Sequence, residues 1–190
     1  MTLGSFGDEK IIKKIINTKH PYGIIYFKNN LYLSNVFLNY ITKVDVQNNY
    51  KFKKLADLNK GWKIINFTKD ENLKGIHSID FINTKKMVFA SYLKKKIFFF
   101  NFKKKKKTEL IYLNKILKGP SHLFFDKDSN KLIVSDYDGS EVYFIDINSN
   151  KFKKLSKNSK INLKKPHMTL RYKNKYFIVD TKQRKVIILN

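Results

Sequence analysis

Residues 119–147 read GPSHLFFDKDSNKLIVSDYDGSEVYFIDI. The order of parts is a turn, an apolar run, a polar turn, a second apolar run ending in Ser-Asp, another polar turn and a third apolar run. Short runs rich in β-branched and aromatic residues, separated by Asn, Asp, Lys and Gly, describe antiparallel strands joined by hairpins. The pattern can be laid on three other places, which makes it an internal repeat. LYLSN (31–35), MVFAS (87–91), LIVSD (132–136) and YFIVD (176–180) align without a gap as second strands. After a polar or turn-like segment of five residues come the third strands, ITKVDV (41–46), IFFFNF (97–102), VYFIDI (142–147) and VIILN (186–190). Before each second strand lies a short apolar strand, opened by a turn containing HP, GIH, GPSH or KPH, so the units begin near Pro21, Ile76, Pro120 and Pro166.

KFKKL (51–55), TELIYL (108–113) and KFKKL (151–155) fall between units and read as fourth, outer strands. A four-stranded antiparallel unit recurring every forty-odd residues is the sequence form of a propeller blade. The expectation is therefore an all-β protein, a β-propeller forming a single domain over residues 1–190, with units starting near 20, 75, 119 and 165. The first unit is longer, because residues 56–74, which contain Trp62, add a loop or an extra strand. The last unit stops after its third strand, and residues 2–16 precede the first. A strand from TLGSF or KIIKKII pairing with the last unit would close a ring of four blades and remove two sheet edges. The spacing of Ile11, Ile12, Ile15 and Ile16 fits a short amphipathic helix equally well, which leaves TLGSF as the closing strand. The alternative is a fragment of a six-bladed ring.

HPYGIIYF, LIVSDYDGSEVYFIDI, and KPH with YFIVDTKQRKVIIL carry a resemblance to NHL-type repeats over about residues 20 to 190. Asn35, Ser91, Asp136 and Asp180 stand at the Asp position of that pattern. A short polar side chain there accepts backbone N–H groups of the following turn, a turn-capping structural role. The resemblance implies a binding or scaffold module. Some NHL-type propellers bind single-stranded RNA on a basic face, and peptidylglycine amidating lyase, a propeller of similar repeats, is a metal enzyme.

The chain has 40 Lys plus Arg against 15 Asp plus Glu, a formal charge of +25, and only Arg171 and Arg184 are arginines. Such a charge attracts polyanions such as RNA or an acidic glycan. Lysine, asparagine, isoleucine, phenylalanine and tyrosine also share A/T-rich codons, so base composition accounts for much of it. Lysine is moreover the poorer residue for bidentate phosphate recognition. The most basic and aromatic stretch is KKKIFFFNFKKKKK (94–107). Its phenylalanines sit on a third strand covered on both faces and are expected in the core. Lys94, Lys95 and Lys96 fall in a turn on the histidine-bearing side and are the first candidates for polyanion binding; Lys103 to Lys107 fall on the opposite side. No cysteine is present, which excludes disulfides and thiolate metal sites. No apolar stretch approaches membrane-spanning length and the chain as given starts with no export signal, so the default compartment is the cytoplasm.

The four histidines, His20, His77, His122 and His167, all lie in or beside the turns that open the units. In a propeller those turns sit at the mouth of the central channel. Imidazoles converging there could hold a divalent metal such as zinc, which needs three ligands and an open position to activate water. His77, His122 and His167 are the candidate ligands, and a metal-dependent lyase or hydrolase is the alternative to a module that binds a protein or polyanion. The alignment is imperfect: His20 precedes its Pro, while His77 and His167 follow that position by one and His122 by two. Alternation along an extended strand can therefore turn some rings away. Structural histidines of the turns are the competing reading. Asp136-Tyr137-Asp138-Gly139 lacks the later ligands of a calcium loop and reads as a β-turn. No phosphate-binding glycine loop, serine elbow or paired carboxylates appear.

Overall fold

The computed structural model describes residues 20–37, 40–45, 62–66, 75–104, 106–113, 115–158 and 161–190. They form four antiparallel sheets in sequence order. The first blade holds β1 (Pro21–Phe27), β2 (Asn30–Asn35), β3 (Tyr40–Asp45) and β4 (Trp62–Asn66). The second holds β5 (Ile76–Asn83), β6 (Lys86–Ser91), β7 (Lys96–Asn101) and β8 (Lys106–Glu109). The third holds β9 (Pro120–Asp126), β10 (Lys131–Asp136), β11 (Glu141–Asp146) and β12 (Lys151–Lys154), followed by one helical turn, Leu155–Asn158. The fourth holds β13 (Pro166–Tyr172), β14 (Lys175–Asp180) and β15 (Lys185–Leu189), and is three-stranded among the described residues. Meandering sheets of this kind in succession are the architecture of a β-propeller.

The inner strands begin at the expected residues, but two outer strands differ from expectation. The strand paired with β3 is Trp62–Asn66 rather than residues 51–55, which lie outside the described residues. In the second blade the outer strand ends at Glu109, and Ile111–Leu113 winds into a 3₁₀ turn instead of extending the sheet. That turn suits burial: Leu110, Leu113 and Leu117 all enter the core between the second and third blades, which a straight strand could not arrange. The closing strand expected from residues 2–16 also lies outside the described residues.

Turn chemistry explains why each hairpin closes where it does. Lys28 and Asn29, the two residues between β1 and β2, both have positive φ (46° and 59°), as a type I′ turn requires. The loops joining second to third strands in the last three blades are four residues long, and each ends in a left-handed residue, Lys95, Ser140 or Arg184. Asp136 and Asp180 stitch these loops to the segment that opens the blade. Asp136 accepts from the backbone of Lys118 and Gly119, the latter at 2.6 Å, and Asp180 from Lys164 (2.7 Å), Lys165 (3.1 Å) and Gln183 (3.1 Å). Ser91 accepts from the Lys94 amide at 3.4 Å, and the Asn35 amide donates to the Leu33 carbonyl at 3.4 Å.

Three hydrophobic cores fill the three joints between consecutive blades. Tyr32 and Ile41 meet Ile79, Phe81, Met87, Phe89 and Phe98 in the first. Val88, Ile97 and Phe99 meet Leu123, Phe125, Leu132, Val134 and Tyr143 in the second, and Ile133 and Val142 meet Ile178 in the third. Phe98 and Phe99, adjacent on β7, thus point into different joints, which is why that strand is apolar on both faces. Polar side chains bind the inner strands to one another. Ser78 Oγ accepts from the Leu123 amide (3.1 Å) and donates to the Leu123 carbonyl (3.3 Å), Ser121 Oγ donates to the His167 carbonyl (3.0 Å), and Asp80 accepts from the Phe125 amide (2.6 Å).

Candidate functional site

The inner strands share one irregularity. Opposite Ser91, Asp136 and Asp180 the pairing slips by one residue, so that His77, Ser121 and His167 are each the extra residue of a β-bulge. On β1 the slip lies between Pro21 and Ile24 and places Tyr22 at the corresponding position. A bulge bends the strand and re-aims its side chain, and here it turns one residue per blade to the same end of the channel. Tyr22, His77, Ser121 and His167, with Tyr92 and Tyr137 from the loops just behind, line a cavity of about 230 Å³.

The rings form a continuous chain of contacts, stacked around His77 and tilted or edge-on around His167. His77 lies between Tyr22 (4.2 Å between centroids) and Tyr92 (4.5 Å, nearly parallel). His167 meets Tyr137 edge-on at 5.8 Å, and its Nε2 is hydrogen-bonded to the Tyr22 hydroxyl, a link from the first blade to the fourth. At the rim the Tyr92 hydroxyl donates to Asp138. Asp138 is paired with Lys165 at 2.6 Å, and the Lys165 ammonium lies 4.5 Å from the centre of the Tyr137 ring.

Electrostatics keep this cup neutral. Burial, with His167 adding to it, lowers the His77 pKa from 6.5 to about 4, and burial lowers His167. Burial and the proximity of Tyr137 raise Tyr22. Both partners of the Tyr22–His167 bond are therefore neutral, and the imidazole tautomer sets which of them donates. The hydrogen bond to Asp138 and then burial push Tyr92 up to about 12. Burial alone would raise Asp138, but hydrogen bonds from Lys165 and Tyr92 hold it below the usual carboxylate range. Near neutral pH the cup presents neutral aromatic and imidazole faces, with polar atoms at their edges and one ion pair at the rim.

The expected ligand histidines are divided by the bulge. His77 and His167 share the cavity. His122 stands one residue beyond the bulge, opposite Ser135, where Ser78 faces Ala90 and Met168 faces Val179. It lines instead a second cavity of about 520 Å³ toward the other end of the channel, with its Nδ1 buried and without a hydrogen-bond partner. In that cavity Arg171 grips both oxygens of Asp126 (2.9 and 3.1 Å), so these charges are neutralised within the fold. His20 is exposed, with φ 52°, and packs edge-on to Phe37. Among the described residues no group of three His, Asp or Glu side chains is gathered at metal-ligating distances.

Of the candidate lysines, Lys94 and Lys95 are exposed on the Tyr92 loop at the cup's rim, and Lys95 lies near enough to Asp138 to help lower its pKa. Lys96 turns away to pair with Glu109 on the outer strand at 3.0 Å. The tyrosines were not singled out by sequence reasoning, yet a signal existed. Tyr92 and Tyr137 each follow the turn-capping residue of their blade, and Tyr22 follows Pro21 as His167 follows Pro166. Counting from the opening residue of each strand likewise puts Ser121, not His122, in the ring.

No family model and no curated protein matches the sequence. Solved structures do. The nidogen/laminin complex superposes with a TM-score of 0.65 at 14% identity, covering 85% of this chain and 55% of that one. A catalytically inactive histidine-to-alanine form of virginiamycin B lyase from Staphylococcus aureus, crystallised with quinupristin, gives 0.61 at 13%, covering 92% and 57%. The extracellular domain of a proposed one-component system from B. thetaiotaomicron gives 0.61 at 22%, covering 90% and 23%. At these identities the likeness is one of fold, and the fold is that of a β-propeller. The chain spans little more than half the length of the first two.

Proposed function

We propose that this propeller is a binding module whose ligand site is the aromatic and imidazole cup at the histidine-bearing mouth of the channel. The repeats, NHL-like in sequence, supply the scaffold. The observation that carries the reading is the convergence of one bulged side chain per blade, with Tyr92 and Tyr137, on a single concavity. A small concavity of aromatic faces with few polar edges is the usual form of a recognition site. The exposed Lys94 and Lys95 beside it, on a chain of charge +25, favour a partner with anionic groups, an acidic protein segment or a polyanion. Titration of acidic peptides, heparin and single-stranded RNA, followed by tyrosine fluorescence, tests this. Saturable binding lost in Tyr92→Ala and Tyr137→Ala supports the cup, and binding unchanged in both refutes it.

A second reading, a lyase or hydrolase, is favoured by the neutral His77 and His167 facing one cavity, since a neutral imidazole can take up a proton. The fold shared with virginiamycin B lyase is consistent with it. The metal-dependent form, built on His77, His122 and His167, fits poorly with His122 lying beyond the bulge, and no step is assigned to a metal. Zinc titration of wild type and a His77/His167 double alanine variant decides the point: binding at 1:1 that the variant loses would restore a metal site.

A further inference from the structure

The cavity of about 520 Å³ at the far end of the channel is built, like the cup, by the innermost strands of all four blades. Ile24 comes from β1, Ile79 and Asp80 from β5, His122 and Phe124 from β9, and Arg171 from β13. Its walls are largely apolar and its polar groups are unevenly satisfied. Arg171 is committed: Nη1 holds both oxygens of Asp126, and Nη2 donates to Asn174 at 3.3 Å. Lys127 and Lys173 are exposed at the opening, and the Lys173 ammonium lies 5.5 Å from the centre of the Tyr172 ring. Asp80 has no ion pair among the described residues. Its Oδ1 accepts from the Phe81 amide and its Oδ2 from the Phe125 amide, each at 2.6 Å. Burial raises its pKa, against the pull of those amides and of the Lys127 charge, so the carboxylate is half-buried without a counter-charge beside it. A second need is also unmet: His122 Nδ1 is buried and has no hydrogen-bond partner.

We propose that this cavity is a second ligand site, separate from the cup, for an elongated primary amine. Its ammonium pairs with Asp80, its apolar body lies against Ile24, Ile79 and Phe124, and a hydrogen-bond donor at its other end meets His122 Nδ1. The sign of the charge follows from what is already paired. An anion entering the cavity would meet the Asp80 carboxylate and find the one guanidinium there engaged, whereas an ammonium would give that carboxylate a charge-assisted hydrogen bond. The second donor follows from the imidazole. In a neutral ring with its hydrogen on Nε2, Nδ1 is an acceptor only, and it gains a partner only from an N–H or O–H group. The spacing follows from the strand. Asp80 is held at the Phe125 amide, three residues along β9 from His122, which is about 10 Å at the ~3.3 Å rise of a strand residue. Two unmet acceptors with an apolar wall between them select a molecule with donors at both ends and an apolar middle. The volume is that of a small-molecule site.

Calorimetric titration of the full chain with tyramine, near neutral pH where its amine is charged and His122 is not, provides the test. Tyramine has an ammonium, an aromatic body and a hydroxyl at the far end. It should bind saturably, one molecule per chain. Hydroxyphenylpropionate, the same skeleton with a carboxylate in place of the ammonium, should bind at least about tenfold more weakly, the reverse of what the net charge of +25 would favour. Asp80→Asn should remove that preference while keeping an acceptor for one of the two amides. Phenylethylamine, which lacks the hydroxyl, should bind about fivefold more weakly than tyramine, and His122→Met should abolish the difference. Tyr92→Ala, in the cup, should leave tyramine binding unchanged. The comparison of amine with carboxylate uses the unaltered chain, so it decides the matter even if Asp80→Asn does not fold. No binding of tyramine, equal or tighter binding of the carboxylate, or a preference for the amine that survives Asp80→Asn would each overturn the proposal. So would loss of binding in Tyr92→Ala, which would put the ammonium on the aromatic faces of the cup.

Discussion

His122 makes folding sensitive to acid in a way that can be isolated. Its ring sits on β9 with Nδ1 buried and unpartnered; burial, aided by His167, lowers its pKa from 6.5 to about 4. Between those values the unfolded chain binds a proton that the folded chain refuses. Stability therefore falls as pH falls through that window; above 6.5 this contribution is constant, and below about 4 its full cost has been incurred. The gap corresponds to about 3 kcal/mol, a large share of the ~5–15 kcal/mol typical of a domain. The informative variant is His122→Met, because Met168 already occupies the matching place on β13 and does not titrate. Urea unfolding followed by circular dichroism, repeated from pH 7 to about 4, gives the difference between wild type and variant. Contributions of other groups, the half-buried His77 among them, largely cancel in that difference. The difference should shift by about 3 kcal/mol against wild type on acidification. A difference that stays level across the window would show that the ring is either solvated or protonated in the folded state, and the reasoning would fail.

Other consequences follow from single contacts. Gly119→Ala would bring a Cβ to 2.5 Å from Asp138 Oδ2 and 2.8 Å from Tyr92 Cε2, so it should cost about 1–3 kcal/mol. It should also bring the Tyr92 phenol down from about 12, readable by ultraviolet titration against wild type. Asp136→Ala leaves the amides of Lys118 and Gly119 without their acceptor at a fully buried site, for an expected loss of about 2–4 kcal/mol in thermal unfolding. If a polyanion binds at the cup, Lys94→Gln with Lys95→Gln should flatten the dependence of log K on log salt by roughly 1 to 2 units. Lys103→Gln with Lys104→Gln, on the opposite side, should change it less; equal losses would show diffuse attraction.

Periodicity alone specified the strands and their order. Alternating and continuous apolar runs such as LIVSD and VYFIDI can satisfy their backbone and bury their side chains only as sheet, and the repeat of about 45 residues divides the chain into blades. Local chemistry was equally legible: Asp136 and Asp180 must find donors nearby, and they find them in the adjoining turns. What escaped were features that depend on which residue opposes which. The outer strand of the first blade fell to Trp62–Asn66 because pairing with β3 is settled by the neighbouring strand, not by composition.

The site shows the same division. The sequence placed all four histidines at one end of the blades, since they cluster at the turns. The aim of each ring was decided by a one-residue slip in pairing, and a slip of one sends a strand's side chains to the opposite face. It brought His77 and His167 together with Tyr22, put Ser121 of the third blade in the ring in place of His122, and left His122 facing the other cavity. Burial in the assembled mouth then fixed the protonation of these groups. That Ile24, Tyr26, Val186 and Ile188 are exposed among the described residues was likewise invisible in the sequence, where they look like every other core position.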